Sequence, residues 1–233
     1  MKPWYNYSMA IYDSVAIEYA HVFDDITLRH SEWPWLCTLI REHKPHSLLD
    51  LGCGNGYLLE ALLPFVPNLY GAEPCAPMIR MAQERLGQGA ALLQAGAENL
   101  PFADKFFDVI VSLLSFRYMI WDKAIDEIHR VLKPEGAFLL IDLFAARFNP
   151  LYLGKYFKSA LELCFQCPGS REYRKKLKNL SQNQDWQKMV QEHPRRKLAE
   201  AKQAIEEKFC INREKLLSAG FRGKTVGLLC TKK

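Results

Sequence analysis

An apolar run that ends in an acid and then places glycine at every second position, Leu48-Leu-Asp50-Leu-Gly52-Cys53-Gly54-Asn55-Gly56-Tyr57, leaves this chain few folds to choose from. Ser47 to Leu51 is short, apolar and preceded by Pro45, which predicts a core strand. Tyr57 to Leu63, stopped by Pro64, predicts the helix that follows. Between them the chain must turn sharply, and glycine supplies both the backbone freedom and the missing side chain that let a ligand touch the main chain. The free amides of the new helix favour a carboxylate or phosphate in the same space. A dinucleotide loop of the G-x-G-x-x-G type would need its third glycine at position 57, where Tyr57 stands. That spacing disfavours a nicotinamide-dependent oxidoreductase.

Further segments follow in order. Leu69-Tyr-Gly-Ala-Glu73-Pro74 predicts a second strand ending in an acid, and Phe107-Asp-Val-Ile-Val-Ser112 a fourth strand. Glu127-Ile-His-Arg130-Val-Leu-Lys-Pro134-Glu-Gly136 and Ala137-Phe-Leu-Leu-Ile-Asp142 predict a helix, a turn and a fifth strand. Together with the loop string Ala95-Gly-Ala-Glu98-Asn-Leu100-Pro101-Phe102, these segments resemble class I S-adenosylmethionine-dependent methyltransferases over residues 45 to 145. The D-x-G-x-G-x-G stretch resembles that family's motif I. The likeness is to the small-molecule branch that includes quinone, sterol and biotin-pathway enzymes.

The resemblance implies an α/β fold: a doubly wound, mostly parallel sheet of Rossmann-like methyltransferase type, with an N-terminal helical arm and a helical insertion after the fifth strand. It implies S-adenosyl-L-methionine as cofactor and S-adenosyl-L-homocysteine as product. Asp50, Gly52, Cys53, Gly54 and Gly56 would hold the methionine part, Glu73 and Pro74 the ribose, and Ala97 with Glu98 the adenine edge. Ser112 and Leu113 would line the sulfonium side, while Leu114, Phe116, Arg117 and Tyr118 would meet substrate. The family usually carries Gly-Asp where this chain has Ala95-Gly96, and that Asp commonly reaches the adenine amino group. Its absence removes one charged hydrogen bond, a contribution on the order of 1.5–3 kcal/mol.

Four regions are expected. Residues 1–44 form a helical arm or lid, in which Tyr12-Asp13, Ala16 and Tyr19 resemble the Y-D-x-x-A-x-x-Y segment that often covers the cofactor. Residues 45–144 form the cofactor-binding core, 145–210 a helical insertion serving as substrate lobe, and 211–233 a closing helix and one or two strands. Within the insertion, Pro150 to Cys167 shows helical apolar periodicity. Asn212 to Phe221 resembles the family's late helix, and Lys224 to Thr231 predicts one clear strand with an abbreviated partner.

In such enzymes the electrophilic methyl group makes in-line positioning most of the work, and a general base is needed only for a nucleophile that must lose a proton early. His21, Tyr19, Tyr118 and His193 are the catalytic candidates; His129 sits on a helix face expected to be solvated. A binder of the same cofactor that acts as regulator or scaffold, without turnover, is the alternative reading.

Composition bounds the rest. With 233 residues and 49% apolar content the chain can bury a large core, and one α/β domain with an added lobe is the natural expectation. The amino end shows neither a signal peptide nor a membrane span, and seven scattered cysteines fit a reducing, cytoplasmic setting. Cys164 and Cys167 form a C-x-x-C pair within a helical pattern, read as core thiols; without a second pair no metal centre is expected. Net charge is +5, yet residues 171 to 202 alone carry ten Lys or Arg against four acids. That basic segment is either a solvated helix face or a recruiter of an acidic, carrier-linked or membrane-held substrate. The expected partner is a small molecule, and nucleic acid is the least supported one.

Overall fold

The computed structural model describes residues 3–23, 25–26, 29–145, 170–193, 195–220 and 223–233; for residues 3–12, 170–174 and 220 it describes the backbone alone. Helices α1 (Pro3–Val22) and α2 (Glu32–His43) lead into β1 (Ser47–Leu51), α3 (Tyr57–Leu62), β2 (Asn68–Ala72), α4 (Ala76–Leu86) and β3 (Ala91–Leu93). Then come β4 (Phe107–Leu113), a 3-10 turn (Phe116–Tyr118), α5 (Trp121–Val131) and β5 (Leu132–Ala145). Helices α6 (Ser170–Gln182), α7 (Gln184–Glu192) and α8 (Leu198–Glu206) precede the hairpin of β6 (Phe209–Gly220) and β7 (Gly223–Lys232).

The seven strands lie in the order β3-β2-β1-β4-β5-β7-β6, parallel from β1 to β5, with β7 antiparallel between β5 and β6. Because the parallel strands are buried on both faces, they read as continuous apolar runs. Along β4 the two faces divide by parity from Val109 onward, the register break after Phe107 turning that residue to the face of Ile110. Val109, Val111 and Leu113 of β4 pack with Leu36, Leu39 and Ile40 of α2 and Leu58, Leu59 and Leu62 of α3. Phe107 and Ile110 turn the other way, onto Ala124, Ile125 and Ile128 of α5 and Ala201 and Ile205 of α8. The buried residues of α5, Trp121, Ala124, Ile125, Ile128 and Val131, recur at helical spacing and make one apolar stripe. Each large side chain buried there contributes about 1.5–3 kcal/mol.

Three expectations are corrected. Asn212 to Gly220 is strand rather than helix: it lies in β6 and pairs with β7 from Phe209↔Lys232 to Gly220↔Gly223, while Phe221 lies outside the described residues. The partner of Lys224 to Thr231 is therefore full-length. Long antiparallel pairing overrides the helical look of Asn212-Arg-Glu-Lys, whose exposed charges instead decorate a sheet edge and discourage further pairing. The helix that covers the sheet here is α8, so the last part of the expected insertion belongs to the core through Ala201 and Ile205. Finally, the turn at Lys133 to Gly136 is absorbed within β5, where the register against β4 jumps from Phe107↔Leu132 to Val109↔Ala137. The apolar pattern of Pro150 to Cys167, with its C-x-x-C pair, falls outside the described residues.

Candidate functional site

The strand order reverses direction between β1 and β4, and a crevice must open there because the crossover helices leave toward opposite faces. At that point a cleft of roughly 940 Å3, counted to its open mouth, lies between the glycine loop, the ends of β2 and β4, and helices α1 and α7.

The loop is built tightly. Gly52 has φ +80° and its amide donates to Ala72 O at 2.8 Å, where a side chain would strike Ser115. Gly54 has φ +54°, and a Cβ built on it would meet no atom within 4 Å, because it faces the cleft. Glu73, buried at the end of β2, ties the loop to the next helix: its Oε2 accepts from the Gly54 amide at 3.0 Å and its Oε1 from the Cys75 amide at 2.9 Å. Asp50 is buried beneath the loop, and its Oδ1 has no hydrogen-bond partner among the described residues. On the far wall, Ser115 Oγ donates to Leu51 O at 2.7 Å and shares a 2.8 Å bond with Ser112 Oγ, locking the end of β4 to β1. Leu114 follows with φ +60°, a strained turn for a branched residue at the mouth of a cleft.

Both buried acids are pushed upward. Burial raises Asp50 to about 8, with the Glu73 charge adding to it, and burial raises Glu73 to about 7 against the opposing bonds from Cys75 and Gly54. A carboxyl whose folded value exceeds its unfolded one makes the folded state bind more protons, so its stability contribution is full below about pH 4 and is lost as pH rises through the folded value. Without ligand, the protein should therefore lose stability as pH rises from 5 to 8.5. Asp50→Asn should flatten that slope in urea denaturation series; an unchanged slope would show that Asp50 ionises as it does in the open chain.

The wall over the adenine-side segment is held by α5. Arg130 donates to Phe102 O at 2.7 Å and Leu100 O at 2.8 Å, and Glu127 Oε2 accepts from the Leu100 amide at 2.7 Å. Glu98 Oε1 accepts from the Ile120 amide at 2.8 Å, which leaves Ala97 and Glu98 facing the cleft beside Pro74.

The roof comes from α1 and α7. Tyr19 lines the cleft, packed on Phe23 and Trp186, and burial keeps its hydroxyl protonated. Ala16 and Ala20 pack on Cys75 and Met78, and Asn55 Nδ2 reaches Ala20 O at 3.5 Å, so the arm is tied to the loop. Met189 packs with Val15 and Tyr118, and His193 meets the Tyr118 ring edge-on at 5.2 Å. Burial lowers the His193 pKa, helped by Arg117 and opposed by Glu192, so its ring is neutral at physiological pH.

Most residues expected at the site meet here. Gly52, Cys53, Gly54, Glu73, Pro74, Ala97, Glu98, Leu113, Leu114, Tyr118, Tyr19 and His193 line the cleft. Asp50 and Ser112 lie buried behind the wall, and Gly56 caps the start of α3, its amide bonded to Cys53 O. Three placements differ. Arg117 does not line the cleft: its side chain is largely buried against Asp142 and Tyr118, behind the wall. Phe116 is fully buried and stacks on Trp121 at 5.1 Å, because the 3-10 turn rotates it into the core. His21 is exposed on α1 beside Lys176 and Asn183, away from the cleft. His129 meets Phe209 edge-on. Sequence reasoning missed Ser115, Met119, Asn55, Tyr57 and Met189 in the wall. For the first four the signal was position within or next to a quoted motif; Met189 had none. In the basic segment Lys175, Lys178, Lys188, Arg195 and Lys197 are exposed, while Arg196 lies over the Trp121 ring at 4.1 Å. Among the described residues no cluster of His, Cys, Asp and Glu could hold a metal ion, and no helix is long and apolar enough to cross a membrane.

Residues 49–140 match Methyltransf_11, a methyltransferase domain family. The uncharacterized methyltransferase YcgJ of Bacillus subtilis (strain 168) is 35% identical over 105 residues, covering 43% of this chain and 42% of that protein. A demethylmenaquinone methyltransferase of Thermotoga maritima is 29% identical over 144 residues, 59% of this chain and 62% of that protein. The tRNA (carboxymethyluridine(34)-5-O)-methyltransferase of Arabidopsis thaliana is 30% identical over 148 residues, 60% of this chain and 33% of that protein. The matched part is thus less than two thirds of the length of each relative. Nucleic acid, which the residues alone made the least supported partner, is the substrate named for one of them. In fold, the crystal structure of the [4+2]-cyclase SpnF superimposes with a TM-score of 0.66 at 17% identity, covering 97% of this chain and 96% of that one. Over residues 49–140 the chain thus carries a methyltransferase domain, in agreement with its resemblance to the class I S-adenosylmethionine-dependent methyltransferases.

Proposed function

We propose that this protein transfers the methyl group of S-adenosylmethionine to a small-molecule nucleophile in the cleft at the β1/β4 crossover. The observation that carries the reading is the division of that cleft into an amide-rich floor tied to Glu73 and a roof of Tyr19, Tyr118, Met189 and His193. The residues fit the cofactor: Asp50 keeps a buried oxygen without a partner, and the space at Gly54 is open to a ligand that touches the main chain. When bound, the cofactor supplies an electrophilic methyl carbon on a sulfonium.

In this reading Asp50, Cys53 and the loop of Gly52, Gly54 and Gly56 hold the methionine part. Glu73, with Pro74, keeps a second lone pair on each carboxylate oxygen for ribose hydroxyls. Ala97 and Glu98 bound the adenine edge, and Ser112 and Leu113 back the sulfonium side. Leu114 and Tyr118 face the acceptor, under a roof formed by Tyr19 and by α7 of the insertion, which makes the latter a substrate lobe. Such a roof excludes water and fixes approach geometry, and orientation of this kind is worth about 7–11 kcal/mol of barrier when complete. Neutral His193 can take a proton from an acceptor that must lose one. The apolar and aromatic roof of Tyr19, Tyr118 and Met189 favours a small molecule over a polymer. Free cysteines, with Cys53, Cys75 and Cys230 buried, favour the cytoplasm as its location.

The test pairs binding with turnover. Calorimetry should show S-adenosylhomocysteine binding, and incubation with deuterated-methyl cofactor should label a small metabolite from a cell extract but not total RNA from the same extract. Label in RNA alone would overturn the substrate class. Binding without any labelled product would favour a non-catalytic regulator, and no binding would remove the cofactor assignment.

A further inference from the structure

We propose that the acceptor end of the cleft takes a small molecule bearing an ionised acid group, a carboxylate or a phosphate, and that Arg117 is the residue that reads it. The inference rests on the methyl-transfer reading, whose cleft it shares, and adds the chemical class of the acceptor.

Arg117 belongs to the 3-10 turn at the carboxyl end of β4, and its side chain is only 16% exposed. A buried guanidinium is costly unless paired and hydrogen-bonded, so its partners can be counted. The acid paired with it among the described residues, Asp142, is already committed. Its Oδ2 accepts from the Arg117 amide at 2.9 Å and its Oδ1 from the Leu143 amide at 2.6 Å. The Arg117 Nη1 is left 3.9 Å from Oδ1, beyond hydrogen-bond distance. Tyr118 supplies a side-chain hydrogen bond and a ring 5.0 Å from Cζ. The Nε is buried and has no hydrogen-bond partner among the described residues.

A charge this weakly neutralised lies directly behind a cleft wall. Tyr118, which it touches, lines the cleft with His193 against its edge, and Tyr19 lines the same end. The two acids of the cleft lining are engaged, Glu73 by two amides and Glu98 by the Ile120 amide. The positive charge of Arg117 behind Tyr118 is therefore not offset by a free carboxylate of that lining. The Nε is sealed from solvent behind Tyr118, so Arg117 favours an anion at this end through its charge. A shift of the Tyr118 ring would present the Nε–H to an oxygen of a carboxylate or phosphate, which Lys would meet only as a point charge. The acid group would anchor the molecule while its nucleophile faces the methyl group, leaving His193 beside that nucleophile.

The experiment uses the full chain saturated with S-adenosylhomocysteine and three probes of one size: benzoate, phenyl phosphate and the uncharged benzamide. Calorimetry should show one of the acids binding at least about tenfold more tightly than benzamide, the acid preferred telling carboxylate from phosphate. Arg117→Gln should abolish the preference and Arg117→Lys retain part of it, with S-adenosylhomocysteine binding reporting that each variant is folded. Equal binding of acids and benzamide to the parent protein would overturn the proposal, and this comparison needs no variant. A preference that survives Arg117→Gln would overturn the assignment to Arg117. Failure to bind S-adenosylhomocysteine while the acid preference persists would instead count against the methyl-transfer reading.

Discussion

Gly52→Ala is expected to destabilise the fold by about 2–5 kcal/mol, whereas Gly54→Val should cost it no more than about 2 kcal/mol yet abolish cofactor binding. Both residues have positive φ, so a side chain at either carries a backbone penalty of roughly 1–2 kcal/mol. Surroundings separate them. At Gly52 the new Cβ would lie 2.5 Å from Ser115 Cβ and 2.6 Å from its Oγ. Ser115 has no easy retreat, since its Oγ bonds Leu51 O and Ser112 Oγ and thereby joins β4 to β1. At Gly54 the same atom would project into open cleft. Urea denaturation and S-adenosylhomocysteine calorimetry on both variants provide the check. If Gly54→Val binds as the parent does, the loop is not the cofactor floor. Parental stability in Gly52→Ala would mean that Ser115 moves freely and that the β4 end is not locked.

What the sequence disclosed follows from how each signal is encoded. The parallel strands were legible because burial on both faces demands unbroken apolar runs, as in Ser47 to Leu51 and Phe107 to Ser112. The glycine loop and Glu73 were legible because close backbone approach and a strand-end acid each require one residue type at one position. Strand β6 was not, since Asn212-Arg-Glu-Lys carries no alternation and becomes strand only by pairing with β7. Phe116 was misplaced for a related reason: a 3-10 turn rotates consecutive residues by a third of a turn, sending Phe116 inward and leaving Tyr118 on the wall. The Glu127 and Arg130 clamp on the Leu100 to Phe102 segment was quoted as helix pattern alone, because its partners are main-chain atoms that no side-chain motif reveals. Met189 and His193 reach the cleft only through the packing of α7 on α1, which no spacing in the chain specifies.

Glu73→Ala should lower the affinity for S-adenosylhomocysteine by about 10–100-fold or more, from the loss of ribose bonds to a charged acceptor worth roughly 1.5–3 kcal/mol. The effect on the loop adds to this. Both oxygens of Glu73 accept main-chain amides, one from Gly54 in the loop and one from Cys75 at the start of α4, so the side chain is a staple between two segments of the cleft floor. Removing it leaves those two donors without their acceptor in a buried setting, at about 1–3 kcal/mol each where water cannot enter. Glu73→Gln separates the contributions. Its amide oxygen can satisfy one donor while its NH2 group faces the other, so the staple is half kept and the charge is gone. Loss of that charge also relieves Asp50, whose ionisation the Glu73 carboxylate opposes, and Glu73→Gln should therefore lose less stability between pH 5 and pH 8.5 than the parent. Calorimetry for affinity and urea denaturation at both pH values supply the readout. Unchanged affinity in folded Glu73→Ala would take the ribose away from Glu73, and an unchanged pH slope in Glu73→Gln would show that Glu73 ionises as it does in the open chain and does not oppose the ionisation of Asp50.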